Sequence, residues 1–159
     1  MLYYLKTSDG KEYSIGKEQT PIPCFQCGLC CIYLRVKLTT NDLNILAEHL
    51  RVSNDDLLHR YVEKISTGYV LRQIENRCVF LIFEGNGTQD ICSVYPSRPE
   101  ACRNWVPSLA CPECQEGLHK LGKSGRILLP TEIYKSQDET IELYFMIRGN
   151  TEIHKLGEV

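Results

Sequence analysis

Four cysteines fall within eight residues, Cys24-Phe-Gln-Cys27-Gly-Leu-Cys30-Cys31, and five more follow at Cys78, Cys92, Cys102, Cys111 and Cys114. No other feature so narrows what the chain can become, because thiols at this density are either oxidised in pairs or bound to metal. Permanent pairing needs an oxidising compartment, and it serves chains too small to build a core. Here the count is odd, Met1 to Gly10 contain no basic segment leading into an apolar one, and 159 residues with 43% apolar content suffice for an ordinary hydrophobic core. The chain is therefore expected in the cytoplasm, where thiols stay reduced and ligation is the better account. Eight or more thiolates gathered in one region would repel one another severely, and bound cations are what offset such charge.

The spacing inside the first cluster is informative. Two-residue gaps let successive sulfurs wrap around one metal centre while backbone N–H groups turn toward them. Gly28 suits that wrapping because it tolerates positive φ. Cys30 and Cys31 are neighbours whose side chains point in different directions, so one of them serves a second metal or another edge of the same assembly. A site with more than one metal atom is expected over a single finger.

The rest of the sequence predicts what surrounds the thiols. Residues 2 to 15 form a hairpin signal turning on Asp9-Gly10, and Pro21 and Pro23 break regular structure so that the first cluster sits on a loop. Val36-Lys-Leu38 reads as short and extended. Thr40 or Asn41 caps a helix with the stripe Leu43, Leu46, Ala47 and Leu50, and Ser53 or Asn54 caps a second with Leu58, Tyr61, Val62 and Ile65. Tyr69 to Ile74 and Cys78 to Phe83 read as strands, the second returning through residues 88 to 94. A loop centred on Gly85 sets residue 78 opposite residue 92, with both thiols on one face. Ser97-Arg-Pro-Glu100 reads as a capping box starting a short helix that presents Cys102. Cys111-Pro-Glu-Cys114 precedes a helix-like Leu118-His-Lys-Leu121, and Ile141, Leu143, Phe145 and Ile147 alternate as a half-buried strand. The sum is an α+β fold, a small single domain over residues 1–159 with short helices and hairpins around an all-cysteine metal site at residues 20–115.

Other residues carry less chemistry. His49, His59, His119 and His154 are scattered and read as surface or helix-end residues. Asp42, Asp55 and Asp56 read as first-turn residues favoured by the helix dipole. Arg98 and Arg103 flank Cys102, where their guanidinium groups are candidates to counter the charge of a bound cofactor, with surface ion pairing the alternative. Trp105 packs over the metal site or simply in the core. Gly85-Asn86-Gly87 is a turn, not a phosphate loop. With 18 Lys and Arg against 20 Asp and Glu, no charge block marks a nucleic-acid or membrane surface.

The string Cys24-x-x-Cys27-Gly-x-Cys30-Cys31, then Val36-x-Leu38-Thr39, Cys78-Val-Phe-Leu81, Cys92-Ser-Val-Tyr95 and Arg98-Pro99-x-x-Cys102-Arg103, resembles the YkgJ-like CxxCxxCC family of zinc- or iron-chelating proteins. The resemblance implies that Cys24, Cys27, Cys30, Cys31, Cys78, Cys92 and Cys102 are ligands, with Cys111 an eighth. Cys114 lies beyond the pattern. Some relatives are flagellin lysine N-methylases, so the resemblance also implies an enzyme modifying protein lysines as a third reading. No residue is assignable as catalytic, and whether the chain is an enzyme stays open.

All-sulfur sites exclude hard cations such as magnesium and calcium and suit zinc and iron-sulfur clusters alike. Zinc is favoured by the two Cys-x-x-Cys pairs, which resemble the knuckles of a four-cysteine site. Iron is favoured by the third closely spaced cysteine, by Cys31 beside it, and by the surplus of thiols over four. The expectation is an iron-sulfur cluster for electron transfer or cluster-dependent chemistry, with a zinc-stabilised, non-catalytic interaction module as the alternative. The expected partner is another protein, with neither nucleic acid nor membrane.

Overall fold

A computed structural model describes residues 2–16, 21–83, 90–128 and 147. In chain order the elements are β1 (Leu2–Thr7), β2 (Glu12–Gly16), α1 (Cys30–Tyr33), β3 (Lys37–Leu38), α2 (Thr40–Leu50), α3 (Asn54–Tyr61), β4 (Val62–Ile65), β5 (Gly68–Leu71), β6 (Gln73–Ile74), β7 (Arg77–Cys78), β8 (Leu81–Phe83) and β9 (Asp90–Cys92). A 3-10 turn (Tyr95–Ser97), α4 (Glu100–Arg103), α5 (Pro112–Lys123) and β10 (Ile127–Leu128) complete them. This is the α+β mixture of short helices and hairpins expected from the sequence. Among the described residues no helix is long and apolar enough to cross a membrane. The chain packs as two compact units: one holds the residues up to Leu29 and from Val106 onward, and the other runs from Cys30 through β8 and from Asp90 to Trp105.

The first unit is built on the predicted hairpin. Gly10 adopts φ 87°, and the Thr7 carbonyl accepts from the Gly10 N–H at 2.9 Å, closing the turn. Strand order is β10-β1-β2, all antiparallel. Alternation along β1 buries Tyr3 and Leu5 and leaves Tyr4 exposed, as a two-residue period requires. Leu118 and Leu121 of α5 join them with Ile15, Ile22, Leu109, Ile127 and Ile147, each fully buried aliphatic side chain contributing about 1.5–3 kcal/mol. The Ile22 N–H donates to the Pro107 carbonyl at 2.9 Å, and Tyr13 meets Phe25 edge-on at 5.1 Å. Those two contacts fix the start of the cysteine loop beside the segment leading to Cys111.

Cys30 and Cys31 open α1, where the sequence predicts a loop carrying the whole first cluster. Four further departures in the second unit each have a physical reason. Helix α2 is capped by Thr39, not Thr40 or Asn41, because Asp42 three residues on completes a reciprocal capping box. Helix α3 is capped by Ser53 as expected but stops at Tyr61, where Val62 to Ile65 pair with β5. The predicted stripe through Val62 and Ile65 thus crosses from helix to strand, and the helical core residue is Leu57, with no measurable exposure. Sheet pairing by a β-branched residue wins over helical continuation.

The third difference concerns Cys78. Glu75 and Asn76 both take left-handed backbone, φ 51° and 62°, and this two-residue turn folds β7 back on β6 with Cys78 opposite Gln73. Strand β8 begins only at Leu81, and it is Leu81 that faces Cys92. The predicted pairing of residues 78 and 92 is therefore corrected by three positions, although the Ser93 N–H still reaches the Phe80 carbonyl at 2.9 Å. Fourth, the predicted Ser97 capping box is absent. Pro99 occupies the N-cap of α4, and Ser97 Oγ instead meets His49 Nδ1 at 3.0 Å. The predicted strand at 141–147 lies outside the described residues apart from Ile147, as do residues 84–89 of the hairpin and His154.

Candidate metal centre

Five cysteines belong to the second unit and come from four elements: Cys30 and Cys31 open α1, Cys78 ends β7, Cys92 ends β9, and Cys102 lies in α4. Four of the five rest on its hydrophobic core, Cys78 as a buried member and Cys31, Cys92 and Cys102 packed against it. Each lies within electrostatic reach of others. Cys31 acts as donor toward Cys30, and that hydrogen bond holds the Cys30 thiol down to about 7, helped by the positive charge of Arg98. The same hydrogen bond, with burial and the charges of Cys30, Cys78 and Cys92, pushes Cys31 far upward. Burial raises Cys78 and Cys92, with Cys30 adding like charge to both. Burial also pushes Cys102 up to about 12, reinforced by Cys78, Cys30 and Cys92. The group gives up one proton readily and the rest reluctantly, as thiols do when they crowd together without a counter-ion.

The flanking arginines have different surroundings. Arg98 lies over the Tyr95 ring at 3.7 Å, donates from Nε to the Tyr95 carbonyl at 3.1 Å, and its charge favours the ionised forms of Cys30, Cys92 and Cys102. Arg103 donates to the Arg98 carbonyl, and its charge acts on Asp42. Trp105, which ends this unit, is half-buried.

Asp42 plays a part that its reading as a first-turn residue missed. It is only 1% exposed, and its carboxylate accepts from the Thr39 N–H at 2.9 Å, the Thr39 hydroxyl at 2.8 Å and, across 58 residues of sequence, the Glu100 N–H at 2.9 Å. Burial opposes its ionisation, but the N–H groups of Thr39 and Glu100 outweigh that and hold the carboxyl below its usual range. The start of the helix carrying Cys102 is thus capped from α2. Thr39-x-x-Asp42 was a sequence signal for the local half of this arrangement. Nothing local to either helix signals the bond to Glu100.

The other four cysteines belong to the first unit. Cys24 and Cys27 sit on the loop before α1, where Gln26 and Gly28 take φ of 52° and 77°, so Gly28 uses the freedom expected of it. Cys111 is the N-cap residue of α5, Pro112 opens the helix, and Cys114 lies in its first turn. Cys114 is pushed up to about 11 by burial, with Cys111 and Cys27 adding like charge and Cys111 hydrogen-bonded to it. Cys27 lies against α5: a β-carbon built on Gly117 would lie 2.9 Å from the Cys27 β-carbon and closer still to its sulfur. Lys120 Nζ donates to the Cys27 carbonyl at 3.2 Å. Cys24 is exposed. Cys114, outside the family-like string but marked as a candidate ligand by its Cys-x-x-Cys spacing from Cys111, thus feels the charge of both Cys27 and Cys111.

None of the nine cysteines forms a disulfide. Among the described residues, no group of three or more His, Cys, Asp or Glu side chains is arranged to hold an ion as it stands. The donor chemistry nevertheless fits a thiophilic metal: in both units the clustered groups are sulfurs alone, and the repulsion among them is of the kind a cation offsets.

Comparison with known proteins agrees with this donor set. The family model CxxCxxCC, described as a "putative zinc- or iron-chelating domain", matches residues 23–123, a span that includes all nine cysteines. The chain is also similar to the uncharacterized protein MJ0661 of Methanocaldococcus jannaschii, 34% identical over 82 residues, which are 50% of this chain and 41% of that protein. The chain thus spans less than half the length of this relative. No solved structure matches.

Proposed function

The chain belongs to the CxxCxxCC family, and on that premise we propose that the thiols of its second unit hold an iron-sulfur cluster serving electron transfer or cluster-dependent chemistry. What supports the reading is the convergence on one core of five cysteines from four elements, the adjacent Cys30 and Cys31 among them, as an assembly of more than one metal atom would use; iron-sulfur clusters and structural zinc both take four thiolates, so the metal itself is the point to be measured. The ligands would come from Cys30, Cys31, Cys78, Cys92 and Cys102. When bound, the cluster supplies a one-electron redox couple, and the chain's own residues set the surroundings in which it works. Packing against Val36, Phe80 and Val94 of the core limits water at the thiols, and Arg98 places positive charge beside them. Asp42 holds the start of the helix bearing Cys102. The electron donor or acceptor would be another protein.

Anaerobic purification followed by metal analysis and a visible absorption spectrum tests this reading. Iron with matching acid-labile sulfide and a spectrum bleached by dithionite is the expected outcome. A colourless protein with stoichiometric zinc contradicts it and returns the chain to the second reading, a zinc-stabilised interaction module, which the paired Cys-x-x-Cys segments of the first unit favour.

A further inference from the structure

We infer that Arg98 and Arg103 form a docking site for the carboxylate side chains of an acidic segment on a protein partner. The inference rests on the reading that the chain works through another protein, which the electron-transfer and interaction-module readings share, and not on which metal is held. Other arginines of the second unit are spent on ion pairs, Arg35 with Glu63 at 2.7 Å and Arg77 with Glu75 at 2.9 Å. Among the described residues no carboxylate pairs with Arg98 or Arg103, although the exposed Glu100 lies three residues before Arg103 on α4. Asp42, on which the charge of Arg103 acts, is buried and already committed to the Thr39 and Glu100 donors.

Both guanidinium groups are also held in place. Arg98 lies over the Tyr95 ring at 3.7 Å with its Nε bonded to the Tyr95 carbonyl at 3.1 Å, which leaves its two Nη groups for another acceptor. Arg103 gives one Nη to the Arg98 carbonyl and keeps its Nε and second Nη. Each therefore presents two parallel donors, the geometry that takes a carboxylate bidentately, with much of the side-chain entropy lost before any partner arrives. Because Arg103 bonds to the backbone of Arg98, the two forks are neighbours, and carboxylates that fill both must be close together, as in an acidic run of protein chain. Beside them the Tyr95 ring is 40% exposed and Pro96 is exposed as well. An aromatic ring next to two arginines is the composition enriched at protein interfaces, whereas a free inorganic anion would leave that surface bare. Cys102 directly precedes Arg103 in α4, so a partner seated here lies beside one of the proposed ligands.

The test is fluorescence anisotropy of a labelled short polyglutamate peptide titrated with the full chain as isolated. Wild type is expected to bind, more weakly as salt is added. An Arg98→Gln, Arg103→Gln double variant should bind about tenfold more weakly or worse. Arg51→Gln with Arg60→Gln removes the same charge elsewhere in the unit and should leave binding as it was. No binding by wild type, or equal loss in the two double variants, overturns the proposal. So does displacement of the peptide by inorganic phosphate at an ionic strength matched with chloride, which would assign the forks to a small anion. Should the glutamine variant not fold, Arg98→Lys with Arg103→Lys decides, because it keeps both charges and loses the forks. Weaker binding there supports the proposal, and wild-type binding contradicts it. Element analysis of the same sample judges the cluster separately: peptide binding with zinc as the sole metal sinks the iron reading alone, and iron without peptide binding sinks this inference alone.

Discussion

The Cys30 and Cys31 thiols respond to their shared hydrogen bond in opposite directions, and the pH dependence of the metal-free protein should show it. A group held below its usual pKa in the fold favours folding more as pH rises from the folded toward the unfolded value. Cys30, at about 7 against an ordinary 9.0, therefore adds stability between pH 7 and 9. Cys102 at about 12 and Cys114 at about 11 are shifted the other way, so the stability their neutral forms contribute is present below about pH 9 and is lost above it. The urea midpoint of the metal-free chain should climb toward pH 9 and fall beyond it, whereas with metal bound the thiols are already deprotonated and the profile should flatten. A metal-free midpoint that does not move with pH contradicts these assignments. At this scale the sequence was legible wherever the cause was local: Gly10 and Gly28 take the positive φ their turns need, and Ser53 caps α3. It was not legible at Asp42, whose decisive partner, the Glu100 N–H, is 58 residues away.

Between elements, Asp42 joins the start of α2 to the start of α4. Replacing it with alanine leaves the Thr39 N–H and the Glu100 N–H without their acceptor, at a cost of about 2–3 kcal/mol in urea unfolding. The Asp42→Ala protein should also retain less metal in the second unit, because the helix bearing Cys102 loses its cap. Full stability together with wild-type metal content would show the link to be ornamental. Helix α3 offers a sharper contrast. Leu57→Ala should cost about 2–5 kcal/mol, since Leu57 is fully buried, while Leu58→Ala, at a partly exposed position, should cost clearly less. Equal losses would restore the helical stripe read from the sequence. That reading failed because apolar periodicity does not register where a helix gives way to a strand. The pairing of Cys78 failed likewise, because the Glu75-Asn76 turn lacks the glycine that usually marks a two-residue hairpin.

For the molecule as a whole, the sequence conveyed the metal-binding chemistry more fully than its layout. Cysteine spacing and family resemblance pointed to thiolate ligation, and the family to which the chain belongs agrees. What spacing could not convey is the division of the first cluster between two compact units, Cys24 and Cys27 in one and Cys30 and Cys31 in the other, because that depends on which core each flanking segment joins. Bound metal that contacts the folded chain alone should stabilise it in proportion to the logarithm of its free concentration, so chelation should lower the thermal midpoint of the intact protein. The most direct measurement is X-ray absorption at the iron and zinc edges of anaerobically isolated protein. The account predicts iron with a sulfur-dominated first shell and a further iron atom as neighbour. Nitrogen or oxygen dominating that shell, or zinc as the sole metal present, would contradict it.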